Sequence, residues 1–299
     1  MHITLTGATG FIGQHVVRGL AARGDRLTIL TRTPRGGSNP RYLNWDAKSA
    51  PPAEALNADA IIHLAGESVA QRWTREAKER IRSSRIDGTR ALVRGLAEAV
   101  KRPEVLISAS AIGFYGDRGD EVLTELSAPG SGFLEDVTAE WERESQRASA
   151  LGVRVVNPRI GIVLGRDGGA LKRMLTPFKM GAGGKIGSGD QWMSWIHIAD
   201  VVGLILFALD LAEVRGPVNA TAPGPVRNVE FTRELAGVLR RPALFPVPVF
   251  ALRVLFGEMA DVLAGSQRVV PQLAIGAGYQ FRFPALRQAL TDVVASRVL

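Results

Sequence analysis

With 299 residues the chain is long enough for one large α/β domain or a domain with a companion, and 46% hydrophobic with 22% charged residues excludes disordered, collagen-like and coiled-coil classes. The absence of cysteine removes disulfides, iron–sulfur clusters and thiol nucleophiles, and the four histidines, His2, His15, His63 and His197, lack any HExxH pattern, so no metal site is expected. The net charge of +8 is scattered without a block of like charges, which points to a phosphate-bearing small molecule rather than nucleic acid.

The first residues, MHITLTGATGFIG, read as a strand entering a turn and lack the basic-then-apolar layout of a signal peptide. No apolar run approaches the ~18 residues of a membrane span. A cytoplasmic chain with no membrane partner is therefore expected. Residues 2–6 alternate, and Ile12, Val16, Val17 and Leu20 recur at helical spacing up to Gly24. Strands are predicted at 26–31, 42–45 and 60–66, and a long helix from Thr74, as N-cap with Glu76 in the first turn, to Val100. Another strand at 105–110, a polar loop, a helix at about 133–150 and a near-continuous apolar strand at 153–165 follow. Alternating helices and fully apolar strands predict a Rossmann-type, doubly wound parallel sheet covered on both faces. A helix at 168–180, a glycine-rich stretch at 181–191, a short extended piece feeding a helix at 192–209 and a last strand at 218–221 come next. The chain beyond Pro223 reads as a smaller, mostly helical cap. Expected units are a dinucleotide-binding domain over 1–222, with 166–191 reaching toward the substrate cleft, and a cap over 223–299.

In TGATGFIG, Gly7, Gly10 and Gly13 follow the first strand and open the first helix. Missing side chains allow the turn, admit a pyrophosphate to the backbone amides and permit close helix–strand packing. Thr9, Phe11 and Ile12 fall in the same cradle. At the end of the second strand, where an acid would bind the ribose 2′-hydroxyl of NAD, stand Thr31, Arg32 and Arg35. Arginines there predict NADP(H), held by a permanently charged planar clamp.

TGATGFIG, HLAGE, the serine-rich strand end before FYG, and PRIGIVLG together resemble the extended NAD(P)-dependent epimerase/dehydratase branch of the short-chain dehydrogenase/reductase superfamily. RWTREAKERIRSSRIDGTR, SASAIGFYG, DQWMSWIHIAD and the RRPALFPVPVFALRVLFGEMAD tail resemble an atypical subgroup of that branch, usually labelled epimerase family protein. The resemblance implies an NADP-binding Rossmann domain, a small C-terminal domain and a sugar-nucleotide-like substrate. It makes Leu64, Ala65, Gly66 and Glu67 cofactor neighbours, with Ser108 and Arg159 also near the cofactor, and leaves His63 as a core residue. It places at Ser108 or Ser110 the hydroxyl that holds the reacting oxygen, Ser110 being favoured; either serine could equally cap the strand end.

One departure matters. The superfamily uses Tyr-x-x-x-Lys, in which the ammonium lowers the tyrosine pKa and anchors the nicotinamide ribose. That pair is absent: Tyr42, Tyr115 and Tyr279 are followed four residues later by Asp46, Gly119 and Phe283, and the customary positions fall near Phe133 and Val137. Tyr115, in a Gly-flanked loop after Ser110, is the expected proton shuttle, although it could instead pack or stack on a substrate. Glu67 and Glu142 are secondary acids. Lys78 and Arg85 could attract substrate phosphates or form a solvated helix face. His197 reads as structural and Asp200 as the cap of the following helix. An alternative to an oxidoreductase is a regulatory protein that senses NADP(H) without turnover.

Overall fold

The computed structural model describes residues 1–34 and 36–295. Among the described residues the central parallel sheet has seven strands in its main path, β1 (His2–Thr6), β2 (Arg26–Thr31), β3 (Arg41–Asn44), β4 (Ala60–His63), β5 (Val105–Ser108), β6 (Arg154–Ile160) and β7 (Gly216–Ala220), and an eighth, two-residue strand at Ser110–Ala111. Their spatial order is β7-β6-β5-β4-β1-β2-β3, so the chain starts in mid-sheet, builds one side, and crosses over between β3 and β4. That reversal leaves a crevice beyond the carboxyl ends of β1 and β4, where ligands bind in doubly wound sheets.

Alternation along β1 sends Ile3 and Leu5 into one apolar layer, with Ile29, Ile62, Ile107 and Val156 of its neighbours. Helices α1 (Phe11–Ala22) and α5 (Ile198–Asp210) cover this face through Val16, Leu20, Leu204 and Ile205. The opposite layer, with Ile61, Leu106 and Val155, packs against Leu92 and Leu96 of α2 (Arg75–Glu98). Helix α2 starts where its sequence predicts, since the Thr74 hydroxyl accepts from the Ala77 amide at 3.2 Å. Helix α3 (Phe133–Gln146) packs beside α2.

Two predicted strands are shorter than their apolar runs. The 105–110 run breaks at Ala109, and beyond the break Ser110–Ala111 still pairs with β6. The 153–165 run breaks at Gly161, where a Cβ would lie 2.5 Å from the Ser194 carbonyl oxygen. The remainder, Ile162–Leu164, leaves the main sheet and pairs with Trp195–His197.

A second core holds Leu164, Leu171, Leu175, Phe178, Trp195, Phe231, Leu290 and Val293. It joins α4 (Gly169–Lys179), α6 (Asn228–Leu239) and a final helix at Leu286–Ala295. Its residues come from both sides of position 222. Between these helices the cap also carries α7 (Val249–Phe256) and α8 (Met259–Ala264). Two features read as local are long-range ties. Asp200, expected as a helix cap, accepts the Arg282 and Phe283 amides at 2.7 and 2.9 Å. His197 caps α5 through its Nδ1, accepting from Ala199 at 3.1 Å, and its Nε2 faces Asp292 at 3.3 Å. No helix among the described residues is long and apolar enough to cross a membrane.

Candidate functional site

The turn between β1 and α1 is built by backbone contact. Gly7 has φ +70°, and a Cβ on it would lie 2.5 Å from the Leu64 carbonyl carbon; one on Gly13 would lie 2.1 Å from the Gly7 oxygen. Only glycine lets α1 start this close to the β4 edge. The Gly10 amide is bound to the Gly7 oxygen at 3.0 Å, and no side chain caps the helix at Gly10. The first amides of α1, around Phe11 to Gly13, are therefore left for an acceptor outside the helix, at its electropositive end. Thr9 and Gly10 are exposed, whereas the Phe11 ring fills the space left by Gly165, Gly168 and Gly169.

On one side of this turn the Leu64 and Ala65 amides are fixed to Thr6, through its carbonyl at 3.3 Å and its hydroxyl at 3.2 Å. His63 beneath them is fully buried between Thr6 and Thr89 hydroxyls at 2.7 and 3.0 Å, and burial pushes it down to about 4, so it is a neutral core residue. On the other side Arg32 follows β2, exposed, and forms no ion pair among the described residues. Arg35 lies outside the described residues.

The catalytic residues expected at the end of β5 are brought together, but as a buried network. Ser110 donates to Glu142 at 2.5 Å, and Glu142 receives Arg159 through two parallel bonds of 2.8 Å. Arg159 also donates to the Tyr115 hydroxyl at 2.9 Å and lies 3.5 Å from the Phe114 ring centre. The phenol in turn donates to Asn219 at 2.6 Å, with the Thr124 carbonyl 3.0 Å away. Tyr115 is 0% exposed, and burial raises its pKa despite the neighbouring guanidinium. In this network Tyr115 is fully buried, the Ser110 hydroxyl donates to a carboxylate, and Arg159 is held by Glu142. Glu142 likewise is the arginine's partner rather than a free acid. Together they fasten α3 and the turn at Tyr115 to β6 and β7 of the sheet. Ser108 is fully buried, and among the described residues its hydroxyl has no hydrogen-bond partner.

The accessible cleft lies next to this network. A cavity of about 450 Å³ opens among Gly113, Gly116, Gly132, Phe133, Glu135 and Gln267. Phe133, at the customary tyrosine position, stacks edge-on against Trp73 at 5.1 Å, and Val137 is buried. Neither can move a proton. Lys78 is neutralised by Glu258 of the cap, whereas Arg85 lies beside Gly66, so the two do not share a solvated face. Glu67 accepts from Gln71 at 3.2 Å.

Sequence reading missed Glu135. Its half-buried carboxyl sits where side chains on Gly116 and Gly132 would collide with it, at 2.8 and 2.7 Å. Its sequence signal was an acid in the first turn of a helix, which reads as an ordinary dipole partner. Burial pushes its pKa up, so the fold disfavours its ionised form above the unfolded pKa. A Glu135→Gln variant is expected to melt about 2 °C above the parent at pH 8, with the difference vanishing toward pH 4, as followed by thermal melts across pH.

This geometry, a glycine cradle at the switch point of a parallel sheet, defines a Rossmann-type dinucleotide-binding protein. The model of the NAD dependent epimerase/dehydratase family matches residues 3–220, and a domain of unknown function, DUF1731, matches 247–293. The chain belongs to the NAD dependent epimerase/dehydratase family. It is 40% identical to epimerase family protein YfhF of Bacillus subtilis, over 99% of both chains. It is also 40% identical to the chloroplastic epimerase family protein SDR39U1 homolog of Arabidopsis thaliana, over 98% of this chain and 87% of that one. The crystal structure of human epimerase family protein SDR39U1 with NADPH superposes with a TM-score of 0.90 at 34% identity, covering 98% of this chain and 99% of that one.

Proposed function

We propose that this protein is a cytoplasmic NADP(H)-dependent oxidoreductase acting on a hydroxyl- or carbonyl-bearing small molecule of the sugar-nucleotide class. The observation that carries the reading is the uncapped glycine cradle of Gly7, Gly10 and Gly13 with Arg32 one strand away, exposed and in no ion pair among the described residues. In it, amides around Thr9, Phe11 and Ile12 hold the diphosphate, Arg32 pairs with the 2′-phosphate, and the segment Leu64–Glu67 walls the cleft. Ser108, at the end of β5, is fully buried, and its hydroxyl has no hydrogen-bond partner among the described residues. The bound nicotinamide would supply or accept hydride. Glu135, in the cavity, would exchange the accompanying proton.

Titration with both reduced nucleotides tests the cofactor assignment. NADPH is expected to bind at least about tenfold more tightly than NADH, and Arg32→Gln to weaken NADPH alone by about tenfold. Equal or tighter binding of NADH by the parent removes the NADP assignment.

A second reading rests on the burial of Tyr115: a cofactor-sensing protein that has kept the pocket and lost turnover. Tight NADPH binding without nucleotide turnover across a panel of sugar nucleotides and simple carbonyl compounds would favour it.

A further inference from the structure

Residue Arg85 extends from α2 toward the segment that walls the cofactor cleft. Its Cζ lies 3.2 Å from where a Cβ of Gly66 would stand, and its Nη1 donates to the Glu67 carbonyl at 2.9 Å and the Ile81 carbonyl at 3.2 Å. The guanidinium faces the Trp141 ring at 5.2 Å, and Trp141 stands one helical turn beyond Val137 on α3. Among the described residues its Nε and Nη2 have no acceptor and no carboxylate lies within ion-pair distance. Burial pushes it down to about 10, with the charge of Glu67 only partly opposing.

The contrast with the other interior arginines is informative. Arg159 is neutralised by Glu142, and Arg154 spends its donors on the Ala208, Leu209 and Val214 carbonyls. Arg85 keeps a planar fork of donors and an uncompensated charge in a partly desolvated position, an arrangement that an anion would relieve.

We propose that Arg85 is an anion-binding residue of the dinucleotide cleft, presenting its free guanidinium donors to phosphate and ribose oxygens common to NADPH and NADH. The proposal rests on the dinucleotide reading above. Fluorescence titration of the full chain with NADPH and NADH tests it, with UDP as a separate arm for the substrate's own diphosphate. Arg85→Gln is expected to weaken both dinucleotides by the same factor, about tenfold or more, and to flatten the salt dependence of binding, while UDP binding is unchanged. A loss of loop geometry alone would weaken binding without changing the salt dependence. An Arg85→Gln protein that melts like the parent and binds both dinucleotides equally well, or loses only UDP binding, overturns the proposal. If the glutamine variant does not fold, Arg85→Lys carries the test. It keeps the charge but not the fork, and an affinity within about twofold of the parent would also overturn the assignment. Failure of the parent to bind either dinucleotide would instead refute the underlying reading.

Discussion

A Gly13→Ala variant is expected to lose measurable NADPH binding and to be less stable than the parent by about 1–3 kcal/mol. In an ordinary helix the same change would stabilise by up to about 1 kcal/mol, because glycine loses more backbone freedom on folding. The sign reverses here because the new Cβ would stand 2.1 Å from the Gly7 oxygen and 2.7 Å from the Ala8 Cα. Relief requires α1 to move away from β1, and that movement carries the first-turn amides away from the diphosphate. Thermal melting and NADPH titration of one preparation measure both effects. A variant more stable than the parent, with unchanged affinity, would show that the turn is not as tight as its contacts indicate.

The second large effect is expected at the buried pair of Glu142 and Arg159. Glu142→Ala should cost about 3–5 kcal/mol, since the guanidinium would remain in the interior without its carboxylate. Arg159 is 3% exposed and Glu142 8%, so water cannot readily take the carboxylate's place. Replacing both residues with apolar ones, as Glu142→Leu with Arg159→Met, should recover much of that loss, because the cost lies in the uncompensated charge. Denaturant unfolding of Glu142→Leu, Arg159→Met and the double variant closes the cycle. Additive losses, with no recovery in the double variant, would mean that the residues are not energetically coupled. A proton-shuttle role for Tyr115 would instead leave stability nearly unchanged in Tyr115→Phe; the network predicts destabilisation, because Arg159 and Asn219 both lose a hydrogen-bond partner.

The architecture was legible because hydrophobic periodicity and glycine spacing are local signals. Ile3 and Leu5 against Thr4 and Thr6 announce a strand with two unlike faces, and the run of apolar residues in β4 announces burial on both. The glycine turn is equally local, since the positions that must lack side chains lie within seven residues of one another. Strand ends were less legible. Ser110–Ala111 and Ile162–Leu164 continue apolar runs, yet the first keeps only one of the two neighbours of β5 and the second pairs with Trp195–His197, a choice made by strands distant in sequence.

By itself, then, the amino-acid order determined a parallel nucleotide-binding sheet, its phosphate turn and the absence of the tyrosine–lysine pair. Only tertiary packing decided which polar groups meet solvent. Tyr115 and Asn219 are 104 positions apart and Asp200 and Phe283 are 83 apart, so no spacing rule could reveal that these side chains are spent on holding the fold. Conversely, Glu135 and Arg85 look like ordinary helix-surface charges in the linear chain. Their partly desolvated settings arise because the loops bearing Gly116 and Gly66 come to rest against them. Burial changes what a charged group costs, and burial is a property of the assembled chain rather than of any segment.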